Sequence, residues 1–294
     1  MKRANLLFIT LATAFTAHAD FSYATAPKAT GGFAGAAAAG MQGSKYYFKG
    51  QKMKIETADR AIILDFDAQT VTGIDNKDHT YSVTPFSDIG KDLKDVNTKL
   101  QAEVKETGQK KNINGYEASE LLMTMAMDNP QARQAGMNMQ IEMSMWLSPD
   151  VPGASELRNF YQKNAPKFPW AAIGAGGNPQ MQNVIVEMQK RMAGSGGGVP
   201  VLQVIRAKAA GNEAQQAQMQ AGMAQARARL EEMAKQQGPA GDAARNALAR
   251  MGGASGGGGG SLFEMNIESS GFSTSSIPDS EFAVPSGYQK TEKK

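Results

Sequence analysis

The sequence predicts an α+β fold: a curved antiparallel sheet whose concave face is covered by helices, with a further helical insert. Three observations predict it. Met137–Leu147 alternates without a break, and in Leu121–Met127 the residues Leu121, Met123, Met125 and Met127 share one face. Short apolar runs separated by polar turns recur from Tyr46 to Val83. Several later segments change to helical spacing. Alternation with period two makes a strand with one apolar face, and a period near 3.6 makes an amphipathic helix.

The chain opens as an export signal. Lys2 and Arg3 form a basic start, Leu6–Phe15 an apolar run, and Ala17-His18-Ala19 a small-residue cleavage site. Residues 1–19 are therefore read as a signal peptide, with the mature protein starting at Asp20. No later stretch approaches the ~20 apolar residues that a spanning helix needs. There is no cysteine, which excludes a lipid anchor on that residue, disulfides and thiol catalysis. Stability must come from a core, and 294 residues suffice to bury one. The 31 basic and 28 acidic residues nearly balance once Lys2 and Arg3 leave with the signal. That balance is no footprint for nucleic acid. The expected location is the periplasm or the exterior.

Residues 20–43 are rich in Ala and Gly and read as a flexible leader. The domain is placed at 44–290, with 291–294 as a tail. Tyr46/Phe48, Met53/Ile55, Ala61–Phe66, Val71–Asp75 and His79–Val83 read as a strand meander. Thr84 then reads as the cap of a helix starting at Pro85, because Phe86, Ile89, Leu93, Val96 and Leu100 recur at helical spacing. Glu103–Thr107 returns to strand and Gly108–Lys111 reads as a basic turn. The paired stripes follow. Leu121, Met123, Met125 and Met127 share one face, and Met137, Met139, Ile141, Met143, Met145 and Leu147 another.

Beyond the stripes, Ser155 caps an expected helix over Glu156–Asn164, and Pro166–Trp170 reads as an extended link. A second helix is expected over Pro179–Ala193, then strands over Val199–Ala207 and Leu262–Ser269. Between those strands lies the insert, 212–260. Met219, Met223, Ala226, Leu230 and Met233 recur at four-three spacing, and Glu231 can support Lys235 one turn on. Ala240–Met251 reads as a second helix and Gly252–Gly260 as a linker. The alternative is a partly disordered, low-complexity loop, since short isolated helices are marginal.

Catalytic chemistry finds few candidates. His79 is the one histidine left after processing, and it sits at a polar strand start. A nucleophilic triad would have to use it, and a histidine-based zinc site needs more ligands. Asp65/Asp67 and Glu231/Glu232 read as turn and surface acids. The glycine runs lack the Lys-Ser/Thr of a phosphate loop. The methionines carry the sharpest signal. Thioethers suit Cu(I), but neighbours on one strand face stand ~6–7 Å apart, too far for one ion unless strands cooperate. Methionine also suits a surface that must accommodate changing apolar shapes. A plain core face is the third reading.

The order of elements resembles a known pattern. Ser44-Lys45-Tyr46-Tyr47-Phe48-Lys49 leads to Met53-Lys54-Ile55-Glu56, Ile62-Ile63-Leu64-Asp65 and the Asp78–Tyr81 turn. Ile113-Asn114-Gly115-Tyr116, Trp146-Leu147-Ser148 and the closing Phe282-Ala283-Val284-Pro285-Ser286-Gly287-Tyr288 follow. This resembles an exported bacterial family of unknown function that is similar to the periplasmic lipoprotein-carrier superfamily. The resemblance spans Gly43–Lys290 without the insert. It implies a half-open β-barrel with an apolar concave side, partly covered by helices, that holds acyl chains. The missing cysteine departs from lipid-anchored relatives, and the basic residue that carriers use at their lid has no clear counterpart.

Together these readings predict a non-enzymatic cell-envelope protein without a cofactor. Its expected ligand is a lipid or another apolar molecule, lined by Met123, Met125, Met127, Met139, Ile141, Met143 and Met145. The alternatives are a structural protein whose 212–251 helices dock a protein partner, and a Cu(I)-binding protein.

Overall fold

Short alternating runs and turn-forming acids build the first half of the molecule. In the computed structural model, β2 (Ser44–Lys49), β3 (Lys52–Glu56), β4 (Arg60–Asp65), β5 (Thr70–Asp75) and β6 (Thr80–Pro85) form the antiparallel meander that the sequence predicts. Asp65 Oδ1 accepts the backbone N–H groups of Asp67 and Ala68, and Asp75 Oδ1 accepts those of Lys77 and Asp78. A carboxylate that binds its own backbone two and three residues on is a turn device. The structure describes residues 20–30, 42–89, 99–128, 139–169, 198–209, 213–236, 238–251 and 261–291.

The leader reading is corrected at its start. Phe21–Thr30 is β1, a central strand held between β2 and β11 (Ser261–Ser273). Phe21 is completely buried and Tyr23 nearly so, which repays the ordering of an otherwise small-residue segment. Pro27 lies beyond the last β1–β2 pair at Thr25↔Ser44. There it interrupts no β1–β2 pairing.

The second half continues with β7 (Lys99–Ile113), β8 (Tyr116–Asp128), β9 (Met139–Ser148) and β10 (Val199–Ala209). With β12 (Gln289–Lys290) they complete one curved, unclosed sheet of twelve strands, ordered β12-β6-β5-β4-β3-β2-β1-β11-β10-β9-β8-β7. Among the described strands only the β12–β6 pair is parallel. The expected turn at Gly108–Lys111 is instead an irregularity inside β7, where the register to β8 shifts between Glu106 and Lys110. The chain reverses at Asn114-Gly115, both with positive φ, as a tight hairpin turn requires.

The expected helix over Pro85–Leu100 fails at both ends. Pro85 closes β6, Phe86–Asp88 is a single 3-10 turn, and Lys99 and Leu100 begin β7. The Phe86 N–H bonds the Gln69 carbonyl and seals the β5–β6 hairpin instead of starting a helix. Residues 90–98 and the expected Pro179–Ala193 helix lie outside the described residues. Three α-helices are described: α1 (Ala154–Asn164), α2 (Glu213–Ala234) and α3 (Pro239–Met251). Gly153, not Ser155, caps α1. Its φ is +85°, and a side chain there would collide with the Phe21 ring. Pro166 lies in a 3-10 turn, Ala165–Lys167, where an extended link was expected. The insert forms the expected helical hairpin, α2 against α3, between the antiparallel neighbours β10 and β11. Glu231 pairs with Arg227, and Lys235 with Glu232 rather than with Glu231.

The main core is aromatic. Phe48 and Phe66 of the meander side meet Phe160 of α1 edge-on, at 5.1 and 5.5 Å between ring centres. Phe21, Leu64, Phe168, Trp146, Val199 and Val201 belong to the same cluster. A second, smaller core lies under the C-terminal segment, where Phe282, Val284 and Tyr288 pack on Ala61, Ile63 and Ile74. Lys54 fastens that segment by binding Glu56 at 3.0 Å and Glu281 at 3.1 Å.

Candidate functional site

Residues directly opposed in an antiparallel pair share a side of the sheet. Read across the strands, this rule assembles the methionine stripes. Leu121 stands opposite Met145, Met123 opposite Met143, Met125 opposite Ile141 and Met127 opposite Met139. The two stripes therefore form one patch, as their alternation predicts. It continues onto β7 through Val104 and Ala102. In the other direction one row runs Met145, Gln203, Ile267, Pro27, and the next runs Met143, Ile205, Met265, Ala29. From β8 to β1 neither row holds a charged residue.

Met123, Met125 and Met145 are buried and cluster with Val104, Leu121 and Leu147, apart from the aromatic core. Met143 and Ile141 are half-buried at the edge of that cluster. Ile205, Gln203 and Ile267 are half-buried too. These five form an accessible strip across β9, β10 and β11. The side chains of Met127 and Met139 lie outside the described residues. Met137 does so entirely.

From β8 to β1 charge sits at the alternate positions, on the opposite side, while on β7 Glu106 stands opposite Leu121 at the end of the Met145 row. Arg206 binds Glu264 at 2.7 Å, and Lys208 binds Glu142 at 2.7 Å. Burial pushes the Glu264 carboxyl up, but hydrogen bonds from Arg206 and Asn266 outweigh it and hold the group below its ordinary value. The strands thus carry an ionic side and an uncharged side, which is what period two delivers when it is uninterrupted.

Sequence reasoning missed a third feature of the uncharged side. Thr25 stands between Ser44 on β2 and Ser269 on β11, so three hydroxyl residues form a row one step from Pro27 and Ile267. Thr25 Oγ1 donates to the Ser44 carbonyl at 3.4 Å. The Tyr46 ring stacks on Tyr23 at 4.7 Å. Burial raises the Tyr46 phenol, while hydrogen bonding with Thr25 and Ser44 draws it back. Burial also raises Tyr23 well above its ordinary value, with the neighbouring Tyr161 adding to the effect. The alternation Phe21-Ser22-Tyr23-Ala24-Thr25 was the available signal, hidden by the Ala and Gly that follow it.

Other candidates fall into structural roles. His79 is an exposed turn residue with φ 51°, its ring against Tyr288 at 5.2 Å and its carbonyl bound by the Gln289 N–H. Among the described residues no group of His, Asp and Glu could hold a metal ion. Pairing does bring Met123 opposite Met143, so two thioethers face each other across the hairpin. No described helix is long and apolar enough to cross a membrane. No protein-family model matches the chain, and no curated protein matches it at a significant level.

Proposed function

We propose that this chain is an exported, non-enzymatic cell-envelope protein of the lipocarrier type, a half-open barrel that binds an apolar ligand on its methionine side. One observation carries the reading: an uncharged side continuous from β8 to β1, whose methionine cluster packs separately from the aromatic core. Apolar ligand sites are lined by hydrophobic side chains with a few polar groups. Methionine adapts its shape to what it touches. The half-buried strip at Ile141, Met143 and Ile205 gives an acyl chain a surface to lie on.

The test uses native protein from its own cells. Fractionation should recover a soluble envelope form beginning at Asp20, and mass spectrometry of its organic extract should show a stoichiometric lipid. A ligand-free extract, together with no fatty-acid binding by the purified protein, would favour a structural role with a partner on the insert. Stoichiometric Cu(I) uptake that fails in Met143→Ala would favour the metal.

A further inference from the structure

Ser269 is 2% exposed, and its Oγ has no hydrogen-bond partner among the described residues. A buried hydroxyl left unpaired is costly, so its persistence calls for an explanation. It does not stand alone. Its direct neighbour across the strand pair is Thr25, which is also buried, and Thr25 faces Ser44. Next along β11 on the same side is Ile267, followed across the sheet by Gln203 and then Met145. A polar row therefore adjoins the end of an uncharged strip.

We propose that Ser269, Thr25 and Ser44 form a polar subsite that takes the uncharged, oxygen-bearing head of a single-chain amphiphile, whose tail lies along Ile267, Ile205 and Met143. The proposal rests on the apolar-ligand reading above and adds the headgroup class. Charge selects that class. No Lys, Arg or His shares the hydroxyl row, so a carboxylate seated there would lose its hydration without gaining a counter-charge. An alcohol only exchanges hydrogen bonds. Ser269 Oγ can both donate and accept, which matches a hydroxyl on either lone pair or proton. The nearby phenols of Tyr23 and Tyr46, raised by burial, stay protonated and add no anion.

The full mature chain is titrated with the uncharged fluorophore N-phenylnaphthylamine, then challenged with dodecanol, laurate or dodecane. Dodecanol should displace the dye at lower concentration than laurate. Ser269→Ala should weaken dodecanol roughly three- to tenfold, the scale of one hydrogen bond, while leaving dodecane unchanged. Thr25→Val keeps the volume and should act in the same direction, so the result survives if one variant is unstable. Equal dodecanol affinity in wild type and both variants would overturn the subsite and leave Ser269 as the seat of a buried water. Laurate binding more tightly than dodecanol would overturn the uncharged-head assignment. Displacement by none of the three compounds would sink the ligand reading itself, and the subsite with it.

Discussion

The aromatic end and the methionine end of this sheet are both buried, but by different means. At the aromatic end, rings interlock at defined angles: Phe66 meets Phe160 at 85° and Phe48 meets it at 74°. A Gly153 without a side chain is needed to admit Phe21. At the methionine end, the clustered side chains are almost all unbranched or aliphatic, and every one comes from β7, β8 or β9. Ring packing specifies one arrangement, whereas methionine tolerates several. The first end is built to be rigid and the second to adapt.

Truncation at each end is the sharpest way to break this contrast. Phe66→Ala should cost ~3–5 kcal/mol in denaturant unfolding, from lost transfer energy plus an unfilled cavity. Met143→Ala should cost less than the ~2–5 kcal/mol typical of a closed core, because Met143 is only half-buried and its neighbours can close in. Equal losses at the two sites would make the methionine patch an ordinary core and remove the ground for a ligand there.

The contrast also explains what the sequence made legible. The meander and the Met123/Met143 hairpin were readable because each strand alternates in isolation and turn acids such as Asp65 and Asp75 mark the ends. β1 was not readable as a core strand. Phe21 and Tyr23 are its only large apolar residues, and what orders them is contact with Phe48 and Tyr46, far along the chain. The expected Pro85–Leu100 helix misled at its two ends, where the helical spacing took in the end of one strand and the start of another. Leu100, Ala102 and Val104 continue at period two onto Met127, Met125 and Met123. The hydroxyl row was invisible because its members come from three strands and meet only through register.

A smaller effect probes the ionic side behind the methionine patch. The Glu264 carboxyl is held below its ordinary value of 4.5, with Arg206 hydrogen-bonded to it. A depressed carboxyl adds stability above its unfolded-state value and loses it as pH falls through the folded-state value. Wild type should therefore lose stability below about pH 4.5 that Glu264→Gln does not lose, by up to ~1 kcal/mol for so partly solvated a pair. Parallel pH profiles of melting temperature would show that the pair contributes nothing.

The smallest expected effect concerns the insert, which leaves the sheet at the methionine end, where Ala209 stands opposite Met139. Helices α2 and α3 pack on each other, and Met233 of the four-three stripe is 41% exposed. Because β10 and β11 are antiparallel neighbours, a Gly/Ser turn in place of residues 210–260 can join them directly. Loop closure favours the shorter connection, and no strand pairing is lost. Stability of the deletion variant should stay within ~1 kcal/mol of wild type, with unfolding still cooperative. The decisive arm repeats Met143→Ala in the deleted background. Independent sites add, whereas coupled ones do not. An unchanged cost would show that the methionine patch owes its packing to the sheet. A cost that collapses would make the insert part of what closes that patch, and the methionine end would then be adaptable because a movable hairpin covers it.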